Sequence, residues 1–266
     1  MVLRMKHVIS RVLGVKKQED SVEAELTIAP LLCDPNKLSL DIGADCGGYA
    51  RRLCSYSRTC IAFEPRSERA GMIRSAATAN GLPISVESVA LSDREGSAEL
   101  RVLKRDPGRS TIDPFNVLAD PDKSPVSSVT VPTKCLDSYG FADIGFIKID
   151  VEGHELAVLR GAEKTIRNSM PNLLVEVEER HHPGAIEGVR SFLEAMGYEG
   201  FYILNGEVYR FADFDTNTHQ DSANIGSWKA GWKKYGTYVN NFFFLPVGSG
   251  EILQSAVRKS ASSLES

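Results

Sequence analysis

Short apolar runs alternate along the chain with stretches that have the period of a helix. The apolar runs predict buried strands at Leu38–Ile42, Cys60–Phe63, Ile84–Val89, Phe146–Asp150 and Leu173–Val177. The stretches that follow them predict helices at about Gly48–Tyr56, Ser67–Asn80, Gly153–Asn168 and Ile186–Met196. Strands and helices that alternate in this way form a parallel sheet covered by helices on both faces, so the predicted fold class is α/β.

Two regions depart from this alternation. Strand-like runs at Ala98–Leu103 and Val126–Val131 flank a long polar loop around Gly108–Thr111. Near the C-terminus, Asn205-Gly206 separates two further strand-like runs, which is a strong hairpin signal, and Phe242–Leu245 predicts another buried strand. A parallel sheet closed by an antiparallel C-terminal hairpin is typical of methyltransferases that use S-adenosylmethionine.

The length and composition fit one main domain with short extensions. The chain has 266 residues, of which 42% are hydrophobic and 25% charged, as in ordinary globular proteins. We expect a basic, helical extension at 1–36, the main α/β domain at 37–248 and a partly mobile tail at 249–266. The basic start, Met1–Lys17, fits a helix lying on an anionic membrane, but an ordinary surface helix is the favoured interpretation.

Charge and cysteine content argue against several classes of protein. The formal net charge of −4 disfavours a dedicated nucleic-acid binder, because such domains carry a basic surface. The 5 cysteines form no C-x-x-C pair, which excludes a zinc ribbon, disfavours a disulfide framework and predicts a cytoplasmic protein. No apolar run reaches the roughly 18 residues that a membrane span needs.

A glycine-rich loop, Asp41-Ile42-Gly43-Ala44-Asp45-Cys46-Gly47-Gly48, joins the first predicted strand to the first predicted helix. Glycines let the backbone approach a ligand, and a helix N-terminus offers free N–H groups. The carboxylates of Asp41 and Asp45 suit a ligand with a sulfonium and an ammonium group better than a pyrophosphate. The loop therefore favours S-adenosylmethionine over NAD. Glu64, at the end of the second strand, can accept hydrogen bonds from both ribose hydroxyls in either case.

Several motifs between Leu38 and Glu178 together resemble the FkbM-type S-adenosylmethionine-dependent methyltransferases. They are Asp41-Ile42-Gly43-Ala44, Ala62-Phe63-Glu64-Pro65, Val89-Ala90-Leu91-Ser92-Asp93, the run from Ile147 to Glu155, and Leu174-Val175-Glu176. The resemblance implies a Rossmann-like class I methyltransferase fold with a seven-stranded sheet, and O-methylation of hydroxyls on sugars or other secondary metabolites. Asp45 departs from the family, which usually has Asn there.

The same resemblance implies a cofactor site at the strand ends. Asp41 and Gly43 would face the methionine half of the cofactor, Glu64 would hold the ribose, and Asp150 would lie at the methyl-transfer end. Ala90 and Leu91 would line the adenine. The expected cofactor-binding residues are Asp41, Gly43, Ala44, Gly47, Glu64, Pro65, Ala90, Leu91 and Asp150.

Charged residues interrupt the fourth and fifth predicted strands. Lys148, Asp150 and Glu152 alternate on one side of the fourth strand, and Glu176 and Glu178 alternate on one side of the fifth. Buried charges must pair, contact water or bind a ligand. We therefore expect an ion pair between Lys148 and Glu176, and we expect Asp150, Glu152 and Glu178 at the ligand-binding edge of the sheet.

His154 is the preferred general base for methyl transfer. It lies in the first turn of the helix after the fourth strand, where the helix dipole favours a neutral, proton-accepting imidazole. In the alternative interpretation His154 only orients Asp150, and His181 and His182 are rival bases at the same edge. The expected catalytic residues are His154, Asp150 and Glu176.

A metal ion and an acceptor site are further possibilities. The carboxylates of the fourth and fifth strands are ligands that Mg²⁺ uses, but no compact motif supports a metal site and we expect none. Trp228 and Trp232 would share one side of a short helix and could stack a sugar, although packing onto the sheet is favoured. Lysines near them could attract an anionic carrier: Lys229, Lys233 and Lys234. The loop at Arg109-Ser110-Thr111 is a candidate lid.

The sequence therefore predicts an S-adenosylmethionine-dependent methyltransferase whose partner is a small-molecule or carbohydrate acceptor. One alternative is an NAD- or nucleotide-sugar-linked oxidoreductase on a related fold, although no Tyr-x-x-x-Lys pair supports it. Another is a non-catalytic module that binds the cofactor as a sensor. The sequence does not indicate an oligomeric state.

Overall fold

The computed structural model describes residues 24–119, 123–225 and 235–264. Strands in these ranges are β1 (Leu38–Ile42), β2 (Thr59–Phe63), β3 (Ile84–Glu87), β4 (Ala90–Leu91), β5 (Gly96–Leu103), β6 (Asp106–Thr111), β7 (Val126–Lys134), β8 (Ile144–Ile149), β9 (Asn172–Glu176), β10 (Tyr198–Leu204), β11 (Glu207–Arg210) and β12 (Asn241–Pro246). The α-helices are α1 (Ala24–Ile28), α2 (Gly48–Leu53), α3 (Ser67–Asn80), α4 (Glu155–Arg160), α5 (Glu163–Ser169), α6 (Ala185–Glu194), α7 (Thr216–His219) and α8 (Gly250–Leu264). Short 3₁₀ helices lie at Ala29–Leu32, Leu136–Tyr139, Phe211–Asp213 and Ser222–Asn224.

The main sheet has the order β11-β10-β12-β9-β8-β1-β2-β3. Strands β1, β2, β3, β8 and β9 are parallel, whereas β12 lies antiparallel between β9 and β10. This arrangement confirms the predicted α/β class and the Rossmann-like methyltransferase fold. The sheet has one strand more than the seven expected, because the hairpin at Asn205-Gly206 adds β11 to its edge. Both turn residues have positive φ, as a two-residue hairpin requires.

A second, four-stranded sheet has the order β4-β7-β5-β6. The prediction of a polar loop around Gly108–Thr111 is wrong, because these residues belong to β6, which pairs with β5. The segment has no apolar alternation to signal a strand. Its Arg109 and Thr111 are nevertheless buried. This second sheet covers the edge of the main sheet where β1, β2 and β8 end.

The helix expected at Gly153–Asn168 is two helices, α4 and α5, with a break at Gly161–Ala162. A Cβ atom at Gly161 would lie 2.0 Å from the carbonyl oxygen of Ser92. The absence of a side chain at Gly161 therefore lets the backbone between α4 and α5 lie directly against the segment that follows β4.

The structure describes part of each of the two extensions. The basic stretch Met1–Lys17 lies outside the described residues, but α1 packs on α8 at the other end of the chain, where Thr27 Oγ1 is 2.7 Å from Ser260 Oγ. The tail expected to be partly mobile contains helix α8, whose Leu253 and Ala256 are buried. Leu253 and Ala256 are three residues apart and therefore lie on the same face of the helix. The apolar residues of the tail are too few and too scattered for this face to be recognised from the sequence. No helix of the described residues is long and apolar enough to cross a membrane.

Candidate active site

A cavity lies at the carboxyl ends of β1, β2 and β8, beneath the second sheet. Open α/β sheets bind ligands at this edge. The walls combine apolar side chains with a few polar groups. Polar and charged side chains on the walls are Asp45, Glu64, Arg66, Ser110, Thr111, Asp150 and His154.

The glycine-rich loop forms one wall of this cavity. Gly43 has φ +82°, and a Cβ atom there would lie 1.7 Å from the carbonyl oxygen of Asp150, so only glycine allows the loop to pass the end of β8. Gly43 lines the cavity, as predicted. Ala44 and Gly47 do not line it, because Ala44 packs into the core and Gly47 lies against Ile73.

Asp41 lies beneath the loop, away from the cavity wall. Its Oδ2 atom accepts a 2.7 Å hydrogen bond from the backbone N–H of Ala50 in α2, and its side chain is buried. Burial raises the pKa of Asp41 to about 7, although the Ala50 hydrogen bond and the charge of Lys148 oppose the shift. Asp41, which was expected to face the methionine half of the cofactor, does not line the cavity. It instead fixes the first turn of α2.

Glu64 lies on the cavity wall, with its carboxylate oriented by its neighbours. Oε2 accepts a 2.9 Å hydrogen bond from the Asp45 N–H, and Oε1 accepts 2.9 Å and 2.8 Å bonds from the backbone N–H and Nε of Arg66. The Arg66 guanidinium also contacts Asp45 Oδ1 at 2.8 Å and the carbonyl of Pro107. The carboxylate predicted to hold the ribose is thus paired with an arginine that the sequence gave no reason to select.

An apolar wall faces these charges. Pro65, Ala90 and Leu91 line the cavity, where the sequence analysis expected them. Ala90 and Leu91 form β4, and the loop before it contributes Val89. These side chains offer apolar surface against which the face of a flat, uncharged ring can pack.

Lys148 lies at the centre of the main sheet and is almost fully buried. Its Nζ atom is 3.5 Å from Glu176 Oε2, 3.9 Å from Asp150 Oδ2 and 3.3 Å from Asn241 Oδ1. The predicted ion pair of Lys148 with Glu176 is therefore confirmed. Asp150 lines the cavity as predicted, but Glu176, a predicted catalytic residue, does not line it. Glu176 instead serves as the counter-ion of Lys148.

His154 lines the cavity beside Asp150 and is the N-cap residue of α4. Its Nε2 atom is 2.9 Å from Ser92 Oγ, and its Nδ1 atom is 3.7 Å from Asp113 Oδ2. The sequence analysis missed Asp113, which lies in a polar stretch of the insertion without any motif. The structure thus brings His154 and Asp150 together at the cavity, as two of the three predicted catalytic residues.

The rival histidines do not line the cavity. Nε2 of the buried His181 is 3.3 Å from Glu152 Oε2 and 3.8 Å from Glu178 Oε1. Burial lowers the pKa of His181 to about 4 and raises the pKa of Glu152 well above its usual value. His182 contacts Asp113 Oδ2 through Nδ1 at 3.0 Å. Glu178 forms an ion pair with Arg180 and, like these histidines, does not line the cavity.

The remaining predicted features have different outcomes. In the part of the chain that the structure describes, no three His, Cys, Asp or Glu side chains are grouped as metal ligands. Ser110 and Thr111 belong to the cavity wall on a paired strand, which does not fit a flexible lid. The residues proposed for acceptor binding lie outside the described residues: Trp228, Lys229, Trp232, Lys233 and Lys234.

The residues of the cavity fit an adenosyl cofactor. Glu64 offers a carboxylate for hydroxyl donors, the β4 wall offers apolar surface for a base, and Asp45 and Asp150 offer negative charge for a cationic group. A pyrophosphate would meet these carboxylates at close range without a matching cation other than Arg66. The chemistry of the walls therefore favours a cationic nucleoside over a dinucleotide.

Comparisons with known proteins give a matching family and a curated relative. The family described as "Methyltransferase FkbM domain" matches residues 40–199. The 2-O-methyltransferase NoeI of Sinorhizobium fredii is 28% identical over 171 residues, which are 58% of this chain and 68% of that protein.

Two solved structures have a similar arrangement. An FkbM methyltransferase from Methylobacillus flagellatus aligns with a TM-score of 0.48 at 14% identity, covering 79% of this chain and 44% of that one. An O-methyltransferase from Bacillus cereus aligns with a TM-score of 0.45 at 14% identity, covering 92% and 97%. The chain thus spans less than half the length of the Methylobacillus protein. Because the family match covers more than half of its residues, this chain belongs to the FkbM family of S-adenosylmethionine-dependent methyltransferases.

Proposed function

We propose that this chain transfers the methyl group of S-adenosylmethionine to a hydroxyl oxygen of a sugar or a similar small metabolite. The observation that carries the proposal is the position of His154, a proton acceptor on the cavity wall beside Asp150. The relative from Sinorhizobium fredii is described as a 2-O-methyltransferase, which supports oxygen as the methylated atom.

The cofactor is assigned to the cavity by the chemistry of its walls. Glu64, Ala90, Leu91 and Asp150 line the cavity. Glu64 would accept hydrogen bonds from the ribose hydroxyls, Ala90 and Leu91 would cover the adenine, and Asp150 would face the cationic methionine end. When bound, S-adenosylmethionine supplies a methyl group that its sulfonium has already activated. The remaining work of the protein is to hold the acceptor oxygen in line and to take its proton.

His154 takes that proton at Nε2. The carboxylate of Asp113 faces Nδ1, where it favours the tautomer with the proton on Nδ1 and a lone pair on Nε2. The Ser92 hydroxyl at 2.9 Å is a suitable donor to this lone pair. An acceptor hydroxyl in the place of the Ser92 hydroxyl would give its proton to the same atom as its oxygen takes the methyl group. The carbon–sulfur bond of the donor would break in that step, and S-adenosylhomocysteine would leave.

The proposal is tested by an acceptor screen with a labelled methyl donor. Free and nucleotide-linked sugars should gain an O-methyl ether, with and without EDTA, since no step above uses a metal. His154→Asn should lower kcat by about 10² to 10⁴-fold without abolishing binding of S-adenosylhomocysteine. His219→Asn, which changes a histidine that does not line the cavity, is the control. Methylation of nitrogen, or full activity of His154→Asn, would contradict the proposal.

A further inference from the structure

Asp113 lies between two histidines that have different surroundings. Its Oδ2 atom is 3.7 Å from His154 Nδ1 and 3.0 Å from His182 Nδ1. His154 lines the cavity, whereas the His182 side chain is 34% exposed. The Asp113 side chain itself is 5% exposed. The contact with His182 is a hydrogen bond, whereas the contact with His154 is an electrostatic contact longer than a hydrogen bond. One buried carboxylate oxygen therefore lies between an imidazole in the active site and an imidazole at the protein surface.

The carboxylate of Asp113 cannot rotate freely, because its loop holds the other oxygen. Oδ1 accepts backbone N–H bonds from Phe115 at 2.9 Å and Asn116 at 3.3 Å. The Asp113 N–H donates to Thr111 Oγ1 at 2.9 Å, which anchors the loop to β6. The orientation of Oδ2 toward both histidines is thus set by the backbone and not by the histidines themselves.

The loop is also fixed as a whole. Arg101 donates from β5 to the carbonyl groups of Asp113 and Asn116. The Asn116 amide donates to the carbonyl of Glu152 at 2.7 Å, next to the segment that carries His154. The Phe115 ring lies 4.6 Å from the His182 ring and covers it. A rigid support of this kind is what a base needs when its tautomer and direction must be fixed.

We propose that Asp113 is the positioning residue of the methyl-transfer base: it holds His154 with Nδ1 protonated and Nε2 directed at the acceptor oxygen, while His182 shares the same carboxylate oxygen and weakens that hold. The inference rests on the proposed function of His154. During transfer the acceptor O–H bond breaks and an Nε2–H bond forms on His154, which becomes an imidazolium. Asp113 stabilises this charge and does not itself take the proton.

Other ionisable groups also lie near the two histidines and Asp113. Asp93 follows Ser92, which contacts His154, and Asp150 lies on the cavity wall with it. His181 interacts electrostatically with Asp113, and the guanidinium of Arg101 binds the Asp113 carbonyl. Burial raises the pKa of Asp113, but its contacts with His154 and His182 and the hydrogen bond from the Phe115 N–H act in the opposite direction, and the net shift is downward. Asp113 is consequently ionised in the range where the base works.

The first test reads the tautomer of His154 without any acceptor. Nitrogen chemical shifts of histidine-labelled protein distinguish Nδ1–H from Nε2–H imidazole. We expect Nδ1–H in the wild type and a loss of that preference in Asp113→Asn, whose amide still accepts the Phe115 and Asn116 N–H groups. His182→Phe should keep the Nδ1–H form. An unchanged His154 tautomer in Asp113→Asn would overturn the proposal even if the enzyme methylates hydroxyls as proposed.

The second test uses the pH dependence of kcat/KM. Asp113→Asn should move the acid limb of the profile about one pH unit lower and reduce kcat at least about 10-fold, because the imidazolium loses its counter-ion. His182→Phe should move the limb in the opposite direction, since it removes a competing donor. Asp215→Asn, which changes a carboxylate at the N-cap of α7 that contacts neither His154 nor His182, is the control and should leave the limb in place.

These experiments distinguish the role of His154 as the base from the role of Asp113 in positioning it. If His154→Asn keeps full activity, the assignment of the base is wrong and the role of Asp113 falls with it. If His154→Asn is inactive but Asp113→Asn and His182→Phe leave the limb unmoved, the proposed function stands and only the positioning role is overturned. A merely structural Asp113 would give low activity at every pH with an unmoved limb.

Discussion

Arg66 competes with a ligand for the carboxylate of Glu64. The guanidinium binds Glu64 Oε1 through Nε at 2.8 Å and bridges to Asp45 and to the Pro107 carbonyl. If ribose hydroxyls bind Glu64 as proposed, they would displace part of this contact. Arg66 would then stabilise the ligand-free protein at the expense of affinity for the cofactor.

We predict that Arg66→Met destabilises the ligand-free protein by about 3 kcal/mol, because it leaves the buried Glu64 carboxylate without its cation. The same change should increase the rise in Tm that S-adenosylhomocysteine produces, since the ligand no longer has to displace a guanidinium. Thermal unfolding with and without the ligand measures both effects. Arg69→Met is the matched control, because Arg69 contacts Asp45 at 3.7 Å but not Glu64. A smaller ligand-induced rise in Arg66→Met than in the control would refute the competition.

Individual site residues could be predicted where a charged or titratable residue lies in a motif at the end of a predicted strand. Glu64, Asp150 and His154 follow directly from such motifs and all line the cavity. Asp41 belongs to the same kind of motif, but its side chain alternates to the other face of β1, where it caps α2. Asp113 lies far from any motif, since only the folding of the insertion brings it to His154.

At the level of elements, Lys148 joins the central strands of the main sheet. It pairs in register with Asp41 of β1, forms an ion pair with Glu176 at the end of β9, and contacts Asn241 of β12. Its side chain is 1% exposed, so the carboxylates near it depend on it for neutralisation.

Lys148→Met should therefore lower the free energy of unfolding by about 3 kcal/mol, since it removes the buried cation that faces the carboxylates of Asp150 and Glu176. Adding Glu176→Gln to this variant should recover part of the loss, because it removes one of those charges. Denaturant unfolding of both single variants and the double variant measures the coupling. Strict additivity of the two changes would contradict the ion pair as a stabilising contact between β8 and β9.

The elements that the sequence predicted well are those with a strong apolar period. Strands β1, β2, β8 and β9 are buried on both faces, and their near-continuous apolar runs mark them clearly. β6 has no such run, because its sequence Asp106–Thr111 is polar and its pairing with β5 depends on the tertiary structure. The break between α4 and α5 depends on the approach of Gly161 to Ser92, which is a contact distant in sequence.

For the whole molecule, the order of elements was sufficient to predict the architecture. Alternating strands and helices followed by a hairpin and a last apolar strand leave few sheet topologies open. The second sheet was not predictable in the same way, since short polar strands can pair in several registers. It nevertheless completes the site, because Leu100, Ser110 and Thr111 close the cavity from above.

Binding of the cofactor by the cavity is the central claim, and calorimetric titration tests it most directly. S-adenosylhomocysteine should bind the full chain, and NAD should not. Glu64→Gln should weaken the binding about 10- to 100-fold, because it replaces hydrogen bonds to a charged acceptor with bonds to a neutral one. Tighter binding of NAD than of S-adenosylhomocysteine, or equal affinity of the wild type and Glu64→Gln for S-adenosylhomocysteine, would contradict the account.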